Sequence, residues 1–237
     1  MGTASCVLGR RVDVPDKISW YASFWTYLQF TWQDLAKLAL DHAIVVIISI
    51  LLSTMIGVAL GIATFRTDRP RELVLAVTGT FLTIPSLALF TLLIQLPLLG
   101  LGAGSVILAL VLYGLLPIVR NTIVGLREVD PAVVESAQGM GMSRGKVLRT
   151  IELPLAWPVV LTGVRVSTLL LIGIAAIGAY INGPGLGDEI FSGLAQIGSA
   201  TALNQVLSGT LGVIVLAILF DLVYVAISRF TIPKGIR

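Results

Sequence analysis

Five stretches of this chain run on with almost no polar position: residues 43–65, 73–96, 105–126, 155–181 and 206–227. Each reaches the ~20 residues that a helix needs to cross about 30 Å of hydrocarbon. Closed barrels are instead built from short segments of alternating character. The pattern therefore predicts an α-helical bundle in a bilayer. The first two stretches carry no charge, the third carries Arg120, the fourth Arg165 and the fifth Asp221.

Upstream, residues 19–40 follow a different pattern. Trp20, Tyr21, Phe24, Trp25, Tyr27, Phe30 and Trp32 crowd a segment that Asp34 and Lys37 interrupt. Aromatic residues at this density suit the headgroup level, so the segment is expected to form an interfacial helix leading into the first span. A sixth span is the alternative, and it would place Arg10, Arg11 and Lys17 inside. Residues 1–18 are expected to be a disordered extension. They show no cleavable signal pattern, and no apolar run precedes the lone Cys6.

Composition agrees with the bilayer assignment. Of 237 residues, 56% are hydrophobic and 12% charged, about half the ~25% charge of soluble domains. This excludes disorder and an ordinary soluble domain. The net charge of +3 does not point to nucleic acid, because the basic residues are sorted along the chain. Arg66, Arg69 and Arg71 follow the first span. Arg127, Arg144, Lys146 and Arg149 lie between the third and fourth, and Arg229, Lys234 and Arg237 follow the fifth. These ten fall on one side, whereas the opposite loops, 97–104 and 182–205, hold no Lys or Arg. The positive-inside bias makes the first side cytoplasmic, with the C-terminal tail 229–237.

Enzymatic readings close quickly. His42 and Cys6 are single, so zinc and paired-histidine sites are not expected. No GxSxG elbow occurs. Ser143-Arg-Gly-Lys146 matches SxxK only as a short chance pattern. Gly145-Lys146 lacks both the earlier glycine and the hydroxyl residue of a phosphate-binding loop, since Val147 follows. The glycines at 183, 185 and 187 are misplaced for a dinucleotide fingerprint.

The connection 127–154 is the longest on the basic side, a length that usually carries structure or function. Asp130-Pro131 reads as N-cap and first helical position. A short helix is expected over Ala132–Gln138, ended by Gly139 and Gly141. Ser143 should cap a second helix that stops near Leu153-Pro154. Within this loop Glu135-Ser136-Ala137, Gly141, Ile151 and Leu153-Pro154 resemble the EAA loop of bacterial ABC importer permeases. The spacing is EAA, three residues, G, nine residues, I, one residue, LP, with Ser136 in place of the first alanine. The similarity continues in Thr83-Ile-Pro-Ser-Leu-Ala88, Leu116-Pro-Ile-Val-Arg-Asn-Thr122, Val129-Asp-Pro131 and Gly183-Pro-Gly-Leu-Gly-Asp188. These segments resemble permeases of glycine betaine/carnitine/choline importers, over roughly residues 35–228. Pro184 departs from the small residue more frequent there. Methionine importer permeases are the close alternative.

The resemblance implies an all-α integral membrane fold: a five-helix type I ABC importer permease core over 41–228, with the N-terminal interfacial helix or sixth span. It implies a multi-pass protein of the bacterial plasma membrane, with coupling loop and C-terminus cytoplasmic, and no enzyme. The chain itself would bind no cofactor, with ATP and magnesium held by two partner ATPase subunits. The other implied partners are an extracytoplasmic solute-binding protein and a second permease copy or paralogue. Glu135, Ser136, Ala137, Gly139, Gly141, Ile151, Leu153 and Pro154 would couple to the ATPase. A secondary transporter would need coupling-ion sites and usually an internal repeat, and no convincing repeat is visible.

Several span residues are candidates for the translocation path or its gate. Pro85 removes a backbone hydrogen bond and should kink its helix, with Thr83 and Ser86 available to the freed carbonyl. Its alternative role is a packing kink. Gly57 and Gly61 read as helix packing. Arg120, with Asn121 beside it, Arg165 and Asp221 carry polar groups that cost at least ~2.5–3.5 kcal/mol near a helix centre when charged. Asp221 is expected to pair with Arg120 or Arg165, and snorkelling is the alternative for Arg120.

Overall fold

The computed structural model describes residues 20–231. The expected extension 1–18 and residues 232–237 of the tail lie outside them. Helix α1 spans Trp20–Thr64, α2 Asp68–Thr83, α3 Ser86–Leu93, α4 Ala103–Arg127, α5 Pro131–Gly139, α6 Arg144–Val147, α7 Leu153–Ile177, α8 Gly187–Ala195 and α9 Ala202–Thr231. A π-turn, Leu148–Glu152, joins α6 to α7, and a 3-10 turn, Gly178–Ile181, follows α7. No strand occurs among the described residues. Four of these helices are long and apolar enough to cross a membrane, or five when the bent pair α2–α3 counts as one.

Helix α1 has no break between the expected interfacial segment and the first span. Its 45 residues reach about 68 Å, more than twice the hydrocarbon thickness. The reason is local: from Trp20 to Ile56 no glycine or proline interrupts it. Its first half is tied to the opposite end of the chain. Tyr27 hydrogen-bonds the Glu189 carboxylate of α8, and Asn204 Nδ2 of α9 donates to Ser23 Oγ at 2.9 Å.

The second expected span is broken rather than kinked. Proline disfavours helical geometry in the residue before it, and Ile84 is extended at φ −74°, ψ 127°. Helices α2 and α3 consequently meet at 99°, and α3 ends at Leu93.

Helix α4 is the hub, gripped by α1 on one side and α7 on the other. Bilayer helices gain little from the hydrophobic effect against one another, so close backbone approach must supply the packing. Small residues do so here. A Cβ added at Gly57 would stand 2.9 Å from Ile118 Cγ2, and one at Gly61 2.6 Å from Thr122 Cγ2. On the far side, a Cβ at Gly163 of α7 would stand 2.8 Å from the Pro117 carbonyl oxygen. Two hydroxyls lock the contact: Ser53 of α1 donates to Val111 O at 3.1 Å, and Ser167 of α7 donates to Gly114 O at 2.9 Å. Phe90, Leu110, Ile118, Leu171 and Ile172 are buried around this axis.

Candidate functional site

The loop between α4 and α7 is built by three backbone devices. Asp130 accepts a hydrogen bond from Ala132 N at 2.8 Å, and Pro131 occupies the first helical position, so α5 starts where the cap chemistry places it. At the other end, Gly141 N donates to Gln138 O and Met142 N to Ala137 O, at 2.9 and 3.1 Å. This is a Schellman closure with Gly141 as its left-handed residue, φ +84°. The helix ends at the two glycines as expected: Gly139 is its last helical residue, and Gly141 supplies the left-handed conformation that closes it.

On the far side of the loop the structure departs from the expected cap and stop. Ser143 is extended ahead of α6, but its side chain caps nothing, and only its carbonyl accepts, from Lys146 N and Val147 N. The helix does not stop at Leu153-Pro154 either. It widens into the π-turn, where Leu153 N donates to Leu148 O, and runs on into α7. Pro154 has no N–H to give and its ring would crowd the carbonyl four residues back. One wide turn accommodates both conditions without ending the helix. The second half of the loop, from Arg144, and a membrane helix thus form one continuous rod, Arg144–Ile181.

Within the loop Glu135 and Ser136 are exposed, with Ser136 Oγ turned back to Ala132 O at 2.7 Å. Ala137 is buried, Ile151 and Leu153 are half-buried, and Pro154 is exposed. A Cβ at Gly139 or Gly141 would meet open space. Met140 is 73% exposed and Val133 43%, so α5 and the turn after it present apolar as well as charged surface.

Two residues that the sequence does not mark as site candidates anchor the loop to the bundle. Glu152, in the π-turn, has a side chain 6% exposed, and both its oxygens accept from Arg66 Nη2 at 2.8 and 3.0 Å. Arg66 follows α1 and also lies over the Phe65 ring, 4.8 Å from its centroid. The pair joins the end of α1 to the start of α7. A polar cavity of about 570 Å³ separates it from α5, lined in part by Val134, Glu135 and Gln138. The 86-residue separation of the partners hides the contact from any local pattern.

Inside the spans, Arg165 and Asp221 form a two-pronged ion pair, Nε to Oδ1 at 2.6 Å and Nη2 to Oδ2 at 2.7 Å, tying α7 to α9. Thr168 and Tyr224, one turn along, add a hydroxyl contact at 2.8 Å. Arg120 is not part of this pair. It is exposed on α4 and makes no ion pair among the described residues. Asn121 Nδ2 donates to Pro117 O at 2.8 Å, a bond within its own helix.

At the α2–α3 break the carbonyl that Pro85 leaves without its usual donor, Phe81 O, accepts from Ile84 N at 3.3 Å rather than from the Thr83 or Ser86 hydroxyl. Thr83 Oγ1 donates to Thr80 O at 2.8 Å, whereas Ile84 O is taken by Tyr113 OH of α4 at 2.7 Å. Ser86 begins α3. The bend is therefore clamped from α4. Thr83 and Pro85 are exposed on this chain, and Ser86 is half-buried.

Residues 53–232 match the family of binding-protein-dependent transport system inner membrane components. The chain belongs to that family. It is 36% identical over 212 residues to the glycine betaine/carnitine/choline transport system permease protein OpuCB of Bacillus subtilis, covering 90% of this chain and 95% of that protein. To the OpuCD permease of the same system it is 39% identical over 192 residues, 81% of this chain and 82% of that one. The osmoprotectant import permease protein OsmW of Salmonella typhimurium is 37% identical over 206 residues, 86% and 94% of the two chains. Among solved structures, an inward-facing conformation of the MetNI methionine ABC transporter superposes with a TM-score of 0.72. It covers 83% of this chain and 95% of that chain at 22% identity, a likeness that speaks to the fold. This inner membrane component is accordingly a multi-pass permease subunit, not an enzyme, with the all-α core of a type I importer.

Proposed function

We propose that this permease is the membrane subunit of an ATP-driven importer for quaternary-amine osmoprotectants such as glycine betaine, carnitine and choline. The observation that carries the substrate class is similarity along most of the chain to permeases named for those solutes. In this reading two copies, or one copy and a paralogue, enclose the path. A solute-binding protein delivers from outside, and two ATPase subunits engage the loop on the basic, cytoplasmic side. Helix α5 is the docking element: Glu135, Ser136 and Ala137 lie on it, and the exposed Val133 and Met140 supply an apolar contact. Gly139, Gly141, Ile151, Leu153 and Pro154 give the loop its shape. The rod from α6 through the π-turn into α7 carries ATPase movement into the bundle. There the Arg165–Asp221 pair and the α2–α3 bend at Thr83, Pro85 and Ser86, beside Arg120 and Asn121 on α4, set pore access. The first half of α1, with Trp25, Phe30 and Trp32 exposed, lies at the headgroup level.

The test is uptake by proteoliposomes holding the permease, its ATPase and its binding protein. Labelled glycine betaine, choline and carnitine should enter only with ATP inside, and methionine should not compete. Gly141→Asp should remove ATPase association and uptake while the chain still inserts. Uptake of methionine alone would reassign the substrate, and normal uptake by Gly141→Asp would remove the docking role of the loop.

A further inference from the structure

The surface between α2 and α4 holds a cluster of charge of which the transport reading uses Arg120 alone. A cleft of about 330 Å³ opens there, with Arg71 contributed by α2 and Arg120 and Arg127 by α4. Glu128 stands at its edge. Asp68 lies beside it, 2.9 Å from Arg71 Nη1 and 3.8 Å from Arg127 Nη1. These two carboxylates leave the cluster with a net positive charge. Arg71 Nη1 is buried and ion-paired with Asp68 without the alignment of a hydrogen bond. Arg120 has no ion-pair partner among the described residues.

Depth is the second observation. Arg120 precedes Arg127 by seven residues on one helix, so the two stand about 10 Å apart along its axis. Apolar Ile123 and Val124 lie between them, and Leu75 faces them one turn beyond Arg71. Val124 is 39% exposed in the cleft, and outside it Leu73 and Val77 of α2 are 65% and 49% exposed. The cleft thus offers guanidinium groups near the end of membrane-crossing helices and apolar surface running toward the hydrocarbon. An aqueous anion would satisfy the arginines and leave that surface unmatched. A guanidinium fork fits a phosphodiester, and an acyl chain fits the rest.

We propose that this cleft binds the phosphate headgroup of an anionic phospholipid, with Arg120 and Arg127 as its main ligands and Arg71 at its side. Leu75, Ile123 and Val124 receive the start of an acyl chain. The site does not include the Arg165–Asp221 pair, and it shares Arg127 and Asp68 with the wall of the cavity that faces α5, so lipid retention and not solute uptake tests it.

The test uses the full permease reconstituted in vesicles of phosphatidylcholine with phosphatidylglycerol, then extracted and weighed intact by native mass spectrometry. Wild type should retain phosphatidylglycerol in preference to phosphatidylcholine. Arg120→Gln/Arg127→Gln should retain about tenfold less, the loss expected for ~1.4 kcal/mol of binding. Arg120→Lys, which keeps the charge without the fork and serves if the double variant does not fold, should fall between. Arg144→Gln, outside the cleft, should behave as wild type. The proposal is overturned if wild type shows no preference, or if the cleft variants retain the lipid undiminished. Displacement of the lipid by inorganic phosphate would overturn the lipid in favour of a free anion.

Discussion

Replacing Arg66 should harm this protein more than replacing Glu152, although the two share one ion pair. The asymmetry follows from burial: the Glu152 side chain is 6% exposed and that of Arg66 42%. Arg66→Ala leaves a carboxylate only 6% exposed without its partner at the edge of the polar cavity, a loss of about 3–4 kcal/mol, toward the low end for a broken buried pair. Glu152→Gln leaves an acceptor oxygen for Arg66 and lets the guanidinium turn to solvent, so about 1–2 kcal/mol is expected. The difference of roughly 2 kcal/mol is a factor near 30 in the unfolding equilibrium. Reversible unfolding of the purified permease in mixed micelles of mild detergent and dodecyl sulfate reads it directly. The double variant Arg66→Ala/Glu152→Gln completes the cycle. It should recover most of the Arg66→Ala loss, because no charge is then left buried. If Glu152→Gln costs as much as Arg66→Ala, or the double variant costs the sum of the singles, the reasoning from burial is wrong.

Two further outcomes follow from backbone geometry and from the intramembrane pair. Gly139→Ala should leave stability unchanged or raise it by up to ~1 kcal/mol, since Gly139 is helical with open space beside it. Gly141→Ala at φ +84° should cost about 1–2 kcal/mol, and amide hydrogen exchange should speed up at Met142, whose N–H closes the Schellman motif. Asp221→Asn should lower stability in micelles by about 0.5–2 kcal/mol and reduce uptake. Arg165→Gln/Asp221→Asn should be closer to wild type than Asp221→Asn alone, and a double variant worse than either single would sink the pairing argument.

Much of the architecture is legible in the chain before any coordinate, because a bilayer leaves so few choices. Without water to satisfy backbone groups, a long apolar run must be helical, so the spans show as hydropathy alone. The cap at Asp130-Pro131 and the left-handed glycine at 141 are legible for a similar reason: each satisfies orphan backbone groups within a few residues of itself. The loop motif is legible because its positions keep one spacing along the chain.

What only the tertiary structure decided is where distant segments meet and where local preferences were outvoted. Arg165 and Asp221 are 56 residues apart, Arg66 and Glu152 86, and Tyr27 and Glu189 162. No short pattern couples such positions, and either Arg120 or Arg165 could have claimed Asp221. Pro154 looked like a helix stop until a π-turn absorbed it, and Pro85 looked like a kink until α4 supplied Tyr113 to hold open a 99° bend. Gly139 and Gly141 are the same residue two positions apart, yet only one is left-handed. Local chemistry determined which elements form, because their hydrogen bonds close within a turn. Their ends, bends and ion pairs were set by whichever neighbour the packed bundle brought within reach.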